Sequence, residues 1–466
     1  MDKKKEICKN CYTCEVSYGG DNKKDNKESL CRNCYTCQQG VDGGVTVNDM
    51  RQKGIEKKKK TLMELCRNCY TCQQGVGSDV TAGQKKSGGG MPMVYFIHHT
   101  SGCNLACRYC YATTNPGNMS KETMHQMLKW LFEIQPHKNI KCHFFGGEPT
   151  TRWSQLEDIV NIGNQLAKKN GVSVGWGMTT NGTLLNTERL DWIEKNFNSR
   201  NPFLLSIDGR KETHDLNRIY KDGKGSFDDI PVDEILSRFP NIEIRPTITP
   251  ETVGDWFDDF RFLRNKGFKS IAIEPDFETD WSEKQLMDYR HLLEKLGEYY
   301  KYAQRSGVNI NLKFLNTVLS QLRSPNPPEG RMCGVAWNSA SIDWRGKLYA
   351  CQRYGSYNNP DKWAMGDVWN GWDEFTLFKT RSLERRQVRG DVREGFDCDD
   401  CMARQFCMKG CNATYAKLMG SRKLVMPNYC RLTRIEVSVA LDILADLGKL
   451  SLRDNSQIKK GGVCMV

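Results

Sequence analysis

Three closely spaced cysteines raise the first chemical question. The run Ser101-Gly102-Cys103-Asn104-Leu105-Ala106-Cys107-Arg108-Tyr109-Cys110-Tyr111 sets its thiols at C-x3-C-x2-C, just after an apolar stretch that begins at Met93. Three thiolates can hold three irons of a 4Fe-4S cluster and leave the fourth open to another ligand. An open iron is a reactive iron. A zinc site or ordinary buried thiols are the unreactive alternatives.

Most of the remaining cysteines are also grouped. Near the C-terminus stand Cys333, then Cys351 five residues after Gly346, then Cys398-x2-Cys401-x5-Cys407-x3-Cys411, and finally Cys430. Near the N-terminus the unit C-[KR]-N-C-Y-T-C occurs three times: at Cys8, Cys11 and Cys14, at Cys31, Cys34 and Cys37, and at Cys66, Cys69 and Cys72. The last two copies share the longer string C-R-N-C-Y-T-C-Q-Q-G-V. Three readings of these repeats stay open. They are a substrate-like segment carried in cis, a metal or cluster site, or a tail with no chemistry of its own. C-x2-C-x2-C is part of a bacterial ferredoxin pattern, but the fourth Cys and the Pro of that pattern are absent.

No run of about 18 apolar residues occurs, and the start Met1-Asp2-Lys3-Lys4-Lys5 leads into polar residues rather than an apolar signal region. The expected location is cytoplasmic, with no membrane partner. There thiols stay reduced, and clustered Cys more often bind metal than form disulfides. The net charge of +12 is modest for 466 residues. With no RNA-recognition or helix-turn-helix signature, nucleic acid is not an expected partner.

The elements that must position the triad begin at Met93. Strands are expected from near Met93, Lys141, Val172, Phe203, Ile242 and Lys269, each followed by a helical stretch such as Ser120 to Ile134 or Trp153 to Lys169. Six βα units in succession imply an α/β fold, a parallel sheet with helices outside it. Such folds place ligands at the carboxyl ends of their strands, where the triad falls. Cys142, inside strand two, reads as core. Before Met93 the chain is polar and without sustained period, so residues 1–90 are expected to be a disordered Cys-rich extension. The βα core is expected over 91–325 and a Cys-rich domain over 326–430. A helix (Leu432 to Leu447) and a tail with Cys464 complete 431–466.

The string C-N-L-x-C-x-Y-C-Y resembles the signature of the radical S-adenosylmethionine (SAM) superfamily. The resemblance continues in chain order through Phe145-Gly146-Gly147-Glu148-Pro149, Thr180-Asn181-Gly182, Ser206-Ile207-Asp208-Gly209 and His214-Asp215-x2-Arg218. It implies a partial (β/α)6 TIM-like barrel. It also implies that Cys103, Cys107 and Cys110 hold a 4Fe-4S cluster whose open iron is chelated by SAM. One electron then cleaves SAM to methionine and a 5′-deoxyadenosyl radical. By the same resemblance Tyr109 lies near the adenine, Gly146, Gly147, Glu148 and Pro149 take the ammonium of SAM, Ser206 contacts the ribose, and Arg218 contacts the carboxylate.

The C-terminal series resembles the SPASM domain, which holds two auxiliary 4Fe-4S clusters, for three clusters in all; four-cysteine zinc remains the alternative. Carried over, Cys398, Cys401, Cys407 and Cys430 fill one cluster. Cys333, Cys351 and Cys411 bind the other. Two positions depart from the anaerobic sulfatase-maturating enzymes in the family. Ser339 stands where those have a further Cys, leaving an iron open to a peptide thiolate, to water or to a residue such as Asp343. Gln352 stands where they carry an Asp base, and an amide cannot accept that proton.

The expectation is therefore an oxidoreductase acting on a Cys-containing peptide, in the manner of maturases of ribosomal peptides, with a thioether as product. The chain's own repeats, in cis, are one candidate for that peptide. A reducing protein such as flavodoxin or ferredoxin supplies the electron. Formylglycine formation is the alternative within the family. An iron-sulfur electron-transfer or metal-binding protein is the alternative outside it.

Overall fold

The computed structural model describes residues 93–112, 116–135, 137–197, 199, 201–308, 310–323, 335–356, 360–377, 379–380, 395–420 and 424–448. All nine repeat cysteines lie outside the described residues: Cys8, Cys11, Cys14, Cys31, Cys34, Cys37, Cys66, Cys69 and Cys72. So do Cys333 and the tail with Cys464. Residues 91–372 and 383–466 group as one unit, to which everything below belongs. Of the other unit only a short helical stretch near Glu374 is described.

Parallel strands β1 (Met93–Thr100), β2 (Asn139–Gly146), β3 (Ser173–Thr180), β4 (Phe203–Leu205) and β5 (Glu243–Ile244) lie side by side in chain order. Thr247–Ile248 forms β6, which pairs with β8 (Glu274–Pro275), while β7 (Ser270–Ile271) and β9 (Asn311–Leu312) extend the main sheet beyond β5. The expected strand starts fall within two residues of β1, β2, β3, β4, β5 and β7. At the other edge β10 (Ser339–Ile342) pairs in parallel with β1, and β11 (Leu348–Tyr349) returns antiparallel to it. This addition was not expected from sequence, because Ser-Ala-Ser-Ile is short and carries little apolar signal. It carries the sheet beyond residue 326 without a break.

Alternation along β1 and β2 separates two faces. Tyr95 meets Trp130 edge-on and Phe144 stacks on Trp176, on the helix-covered side. On the other side Phe96 lies against His143 and Phe145, and His98 against Phe145.

Helices α1 (Lys121–Lys129) and α2 (Trp153–Asn170) fill the first two crossovers. Ser120 caps α1 by accepting the Thr123 N–H at 3.0 Å, and a π-helical turn, Trp130–Ile134, ends the stretch where expected. α2 buries Leu156, Ile159, Val160 and Ala167 on one stripe. Each large apolar side chain so buried contributes roughly 1.5–3 kcal/mol, so tertiary packing rather than propensity holds the helix. The later helices are α3 (Thr187–Asn196), α4 (Lys211–Asn217), α5 (Val232–Arg238), α6 (Trp256–Lys266), α7 (Glu283–Arg305) and α8 (Lys313–Leu322).

Past the barrel come α9 (Gln352–Gly355), α10 (Asn412–Leu418) and α11 (Pro427–Asp446). α11 starts earlier than the expected Leu432, with Pro427 in its first turn, a position that suits proline because its missing N–H is not needed there. Cys430 is thus inside the helix rather than before it.

Candidate active site and cysteine groups

The loop after β1 carries Cys103 and Cys107, both partly buried, and Cys110, which is exposed. Backbone bonds sew it to the chain beyond β4: Ala106 N–H donates to Ile219 O at 2.7 Å and Arg108 N–H to Asn217 O at 3.0 Å. Leu105 N–H points at Cys103 Sγ from 3.4 Å. Burial pushes the Cys103 thiol up to about 12 and the Cys107 thiol up to about 11, the latter held back by the Arg218 charge.

At the end of β2 the backbone passes unusually close to this loop. Gly147 has no room for a side chain, since a Cβ would sit 2.1 Å from the Gly102 carbonyl oxygen. Gly146 has φ +124°, a left-handed conformation that glycine alone adopts readily. That approach lets Glu148 N–H donate to Gly102 O at 2.8 Å. The Glu148 carboxylate is buried and accepts from Thr150 N–H (3.0 Å), Thr150 Oγ1 (2.6 Å), Thr180 Oγ1 (2.8 Å) and Asn181 N–H (2.8 Å). Burial pushes its pKa up while these donors pull it down. Pro149, also buried, opens the 3-10 turn that follows. Asn181 Nδ2 in turn donates to Asn104 Oδ1 at 3.0 Å, so the third motif ties the second to the first.

The fourth strand delivers a buried charge hub. Asp208 pairs with Arg218 through Nη2 (3.1 Å) and Nε (3.1 Å), accepts Thr247 N–H at 2.9 Å, and accepts the Tyr109 hydroxyl at 2.6 Å. The Arg218 guanidinium also lies 5.3 Å from the centre of the Tyr109 ring. His214 Nδ1 accepts Asp208 N–H at 3.4 Å, and its Nε2 meets Ser226 Oγ at 3.1 Å. Ser226 Oγ donates to Arg218 O at 2.7 Å, which leaves the Nε2 proton on His214 as the donor to Ser226. Ser206, half-buried, is fixed by its N–H to Thr180 O at 2.9 Å. Glu148 and Ser206, linked through Thr180, and Tyr109 and Arg218, linked through Asp208, thus lie at the carboxyl ends of the neighbouring strands β2 to β4. Asp208 was given no role from sequence, although it sits inside one of the motifs.

In the C-terminal region Cys398, Cys401, Cys407 and Cys430 line one pocket, with Arg404, Lys409 and Arg434 at its wall. Lys409 N–H donates to Cys407 Sγ at 3.2 Å. Burial pushes Cys407 to about 11 and Cys430 to about 12. Cys351 and Cys411 each stand immediately before a helix, α9 and α10. These helices are tied by Arg353 Nη1 donating to Thr414 Oγ1 at 2.6 Å. Among the described residues no three Cys, His, Asp or Glu side chains are drawn together as a single-ion site. Four cysteines around one shared pocket, with the Lys409 N–H aimed at Cys407 Sγ, fit a multi-iron cluster.

The two cysteine regions meet at Tyr111, which follows Cys110. Arg353 lies 3.9 Å from the centre of the Tyr111 ring, and Lys417 Nζ donates to Tyr111 O at 3.1 Å. Arg353 also pairs with Glu278. Sequence reasoning missed this junction, because no local motif marks Arg353 or Lys417. Among the described residues no helix is long and apolar enough to cross a membrane.

The family model "Radical SAM superfamily" matches residues 97–276. A cysteine-type anaerobic sulfatase-maturating enzyme of Clostridium novyi is 24% identical over 332 residues, 67% of this chain and 85% of that protein. The antilisterial bacteriocin subtilosin biosynthesis protein AlbA of Bacillus subtilis is 22% identical over 346 residues, 73% of this chain and 71% of that protein. Among solved structures, native anSMEcpe with bound AdoMet and Cp18Cys peptide aligns with TM-score 0.62 at 22% identity, covering 76% of this chain and 98% of that one. With the parallel sheet and the motif network at its strand ends, these likenesses leave one assignment: the chain belongs to the radical SAM superfamily and is one of its enzymes.

Proposed function

We propose that this enzyme is a peptide maturase that oxidises a Cys-containing peptide, joining the cysteine sulfur to a carbon as a thioether. In this reading Cys103, Cys107 and Cys110, in the barrel region 91–325, hold the cluster to which SAM binds. Tyr109, Gly146, Gly147, Glu148, Pro149, Ser206 and Arg218 frame SAM itself. Cys398, Cys401, Cys407 and Cys430, in the region 326–430, hold one auxiliary cluster, and Cys333, Cys351 and Cys411 the other. When bound, SAM and its cluster supply a 5′-deoxyadenosyl radical.

The work of the chain's own residues is to aim and protect. The Asp208–Arg218 pair fixes Tyr109, and the Glu148 network fixes the backbone of the second motif against the cysteine loop. Making C–S from C–H and S–H removes two hydrogens. One leaves as an atom to the radical, giving 5′-deoxyadenosine. The other leaves as a proton, with one electron passing to an auxiliary cluster.

The observation that carries the reading is the junction at Tyr111. It joins the triad to the second cysteine region through Arg353 and Lys417, as an enzyme that routes an electron between them requires. Gln352 favours thioether over formylglycine formation, since that position then offers no carboxylate base. The three repeats are candidate substrates in cis, with Cys8, Cys11 and Cys14, Cys31, Cys34 and Cys37, and Cys66, Cys69 and Cys72 as the thiols to be joined.

The test is anaerobic incubation with SAM and a reductant such as flavodoxin or ferredoxin, followed by mass spectrometry. Loss of two hydrogens per repeat in residues 1–90, with 5′-deoxyadenosine released, supports the reading. Absence of 5′-deoxyadenosine would return the chain to an electron-transfer role. Unmodified repeats carrying extra iron would make them a metal site.

A further inference from the structure

One buried hydroxyl beside the C-terminal cysteines finds no acceptor among the described residues, the phenol of Tyr415. Tyr415 is 0% exposed and belongs to α10, which Cys411 precedes as the capping residue. Its N–H donates to Cys411 O at 3.0 Å, so the two residues lie one turn apart on the same helix face. Helical side chains lean toward the N-terminus, which lays the ring back over the 409–411 backbone. A Cβ on Gly410 would fall 1.6 Å from the Tyr415 hydroxyl oxygen. Lys409 and Gly410 take up left-handed φ values of 57° and 71°, turning the chain around the ring.

Burial holds this phenol protonated, reinforced by the Tyr429 phenol and then by the thiols of Cys411, Cys430 and Cys407. Tyr415 and Val425 form a small buried cluster against which Met426, Tyr429 and Cys430 pack. Cys407 Sγ already has a donor in Lys409 N–H, and Cys103 Sγ has one in Leu105 N–H. Cys411 Sγ has none among the described residues. Burying a hydroxyl without a partner is unfavourable, a cost that phenylalanine would avoid. The tyrosine therefore calls for an acceptor, and an iron-bound thiolate is a far better one than a free thiol.

We propose that, once Cys411 binds its cluster as a thiolate, it becomes the acceptor that the Tyr415 hydroxyl lacks in this structure, so that Tyr415 is a positioning residue that raises the reduction potential of the auxiliary cluster that Cys411 holds. This rests on the cluster assignment above. A donor to sulfur stabilises the reduced, more negative state, so its removal lowers the potential.

The experiment compares full-length wild type, Tyr415→Phe and Tyr429→Phe after anaerobic iron-sulfur reconstitution. The Tyr429 hydroxyl already has partners in Thr433 and Gly410, so it serves as the matched phenol. Iron content stays equal in all three. In Tyr415→Phe one cluster becomes about tenfold harder to reduce, about 59 mV for one electron in a redox-poised EPR titration, while Tyr429→Phe leaves it in place. ENDOR in D2O finds an exchangeable deuteron coupled to that cluster in wild type, and loses it in Tyr415→Phe. An unchanged potential, or a deuteron that survives the substitution, overturns the proposal. If Tyr415→Phe loses its iron, absence of the deuteron in wild type overturns it and presence supports it. Wild type that binds iron for the first cluster alone overturns the auxiliary-cluster reading instead.

Discussion

The Tyr109 hydroxyl donates a 2.6 Å hydrogen bond to Asp208, joining the tip of the cysteine loop to the end of the fourth strand. Asp208 is also the counter-ion of buried Arg218, so one carboxylate holds two residues expected around SAM. The two substitutions that break this arrangement differ in kind. Asp208→Asn strands a buried guanidinium and should cost about 3–5 kcal/mol. Tyr109→Phe removes one bond to a charged acceptor and should cost about 1.5–3 kcal/mol. Urea unfolding of the two variants under anaerobic conditions checks the order, and equal losses would mean that the ion pair is not what Asp208 supports.

Gly147→Ala tests the close approach of the second motif to the triad loop. The added Cβ meets backbone, the Gly102 carbonyl, and backbone cannot rotate away as a side chain would. Overpacking of this sort costs about 1–3 kcal/mol, and here it must loosen the 2.8 Å bond from Glu148 N–H to Gly102 O. SAM affinity should fall at least about tenfold by equilibrium dialysis, equivalent to about 1.4 kcal/mol. Affinity within twofold of wild type would show that the loop tolerates the displacement.

Much of the barrel was legible because a parallel strand covered on both faces reads as a dense apolar run, as Met93 to Ile97 does. From sequence the motif residues could be read only as expected ligands, not as partners of one another. Glu148 read as a counter-charge for SAM, whereas two of its four protein donors, Thr180 Oγ1 and Asn181 N–H, are brought to it only when β2 and β3 lie side by side. β10 escaped notice because a four-residue strand takes its stability from pairing with β1 and β11 rather than from its own sequence. The Arg353 and Tyr111 contact spans 242 residues of chain, and no spacing rule reaches that far.

Buried histidines make the fold acid-sensitive. His98 and His214 are almost fully buried, and burial lowers their pKa values to about 3 and about 4. In the unfolded chain both titrate near 6.5. Below that pH the unfolded state takes up protons that the native state refuses, so stability falls as pH drops from about 6.5 toward the folded values. Each group contributes about 1.4 kcal/mol per pH unit, or about 3 kcal/mol for the pair at about pH 5.5. Urea midpoints at neutral pH and about one unit below 6.5 should register the loss, to which His99 and His143, lowered by burial to about 4 and about 3, add a similar share, so His98→Phe should remove about a quarter of it. A pH-independent midpoint over that window contradicts the burial of both rings as neutral groups.

Ser339→Cys tests the open coordination position proposed beside Cys351 and Cys411. In the β10–β11 hairpin Ser341 pairs with Tyr349 and Ile342 with Leu348. Beyond that pair Ala336 N–H donates to Ala350 O at 3.1 Å, so the chain just before Ser339 stays against the residue that precedes Cys351. Asp343, the carboxylate alternative for the same position, spends both oxygens elsewhere. It accepts two backbone N–H bonds from Arg345 and Lys347, two from the Arg345 guanidinium and one from the Tyr349 hydroxyl. A thiol at 339 should therefore occupy the iron that a peptide thiolate would otherwise reach. SAM cleavage without peptide and iron per chain should stay at wild-type levels, while peptide cross-linking falls at least about tenfold in kcat/KM. Cross-linking at the wild-type rate would place the peptide thiolate away from this cluster and leave Ser339 a residue of the strand alone.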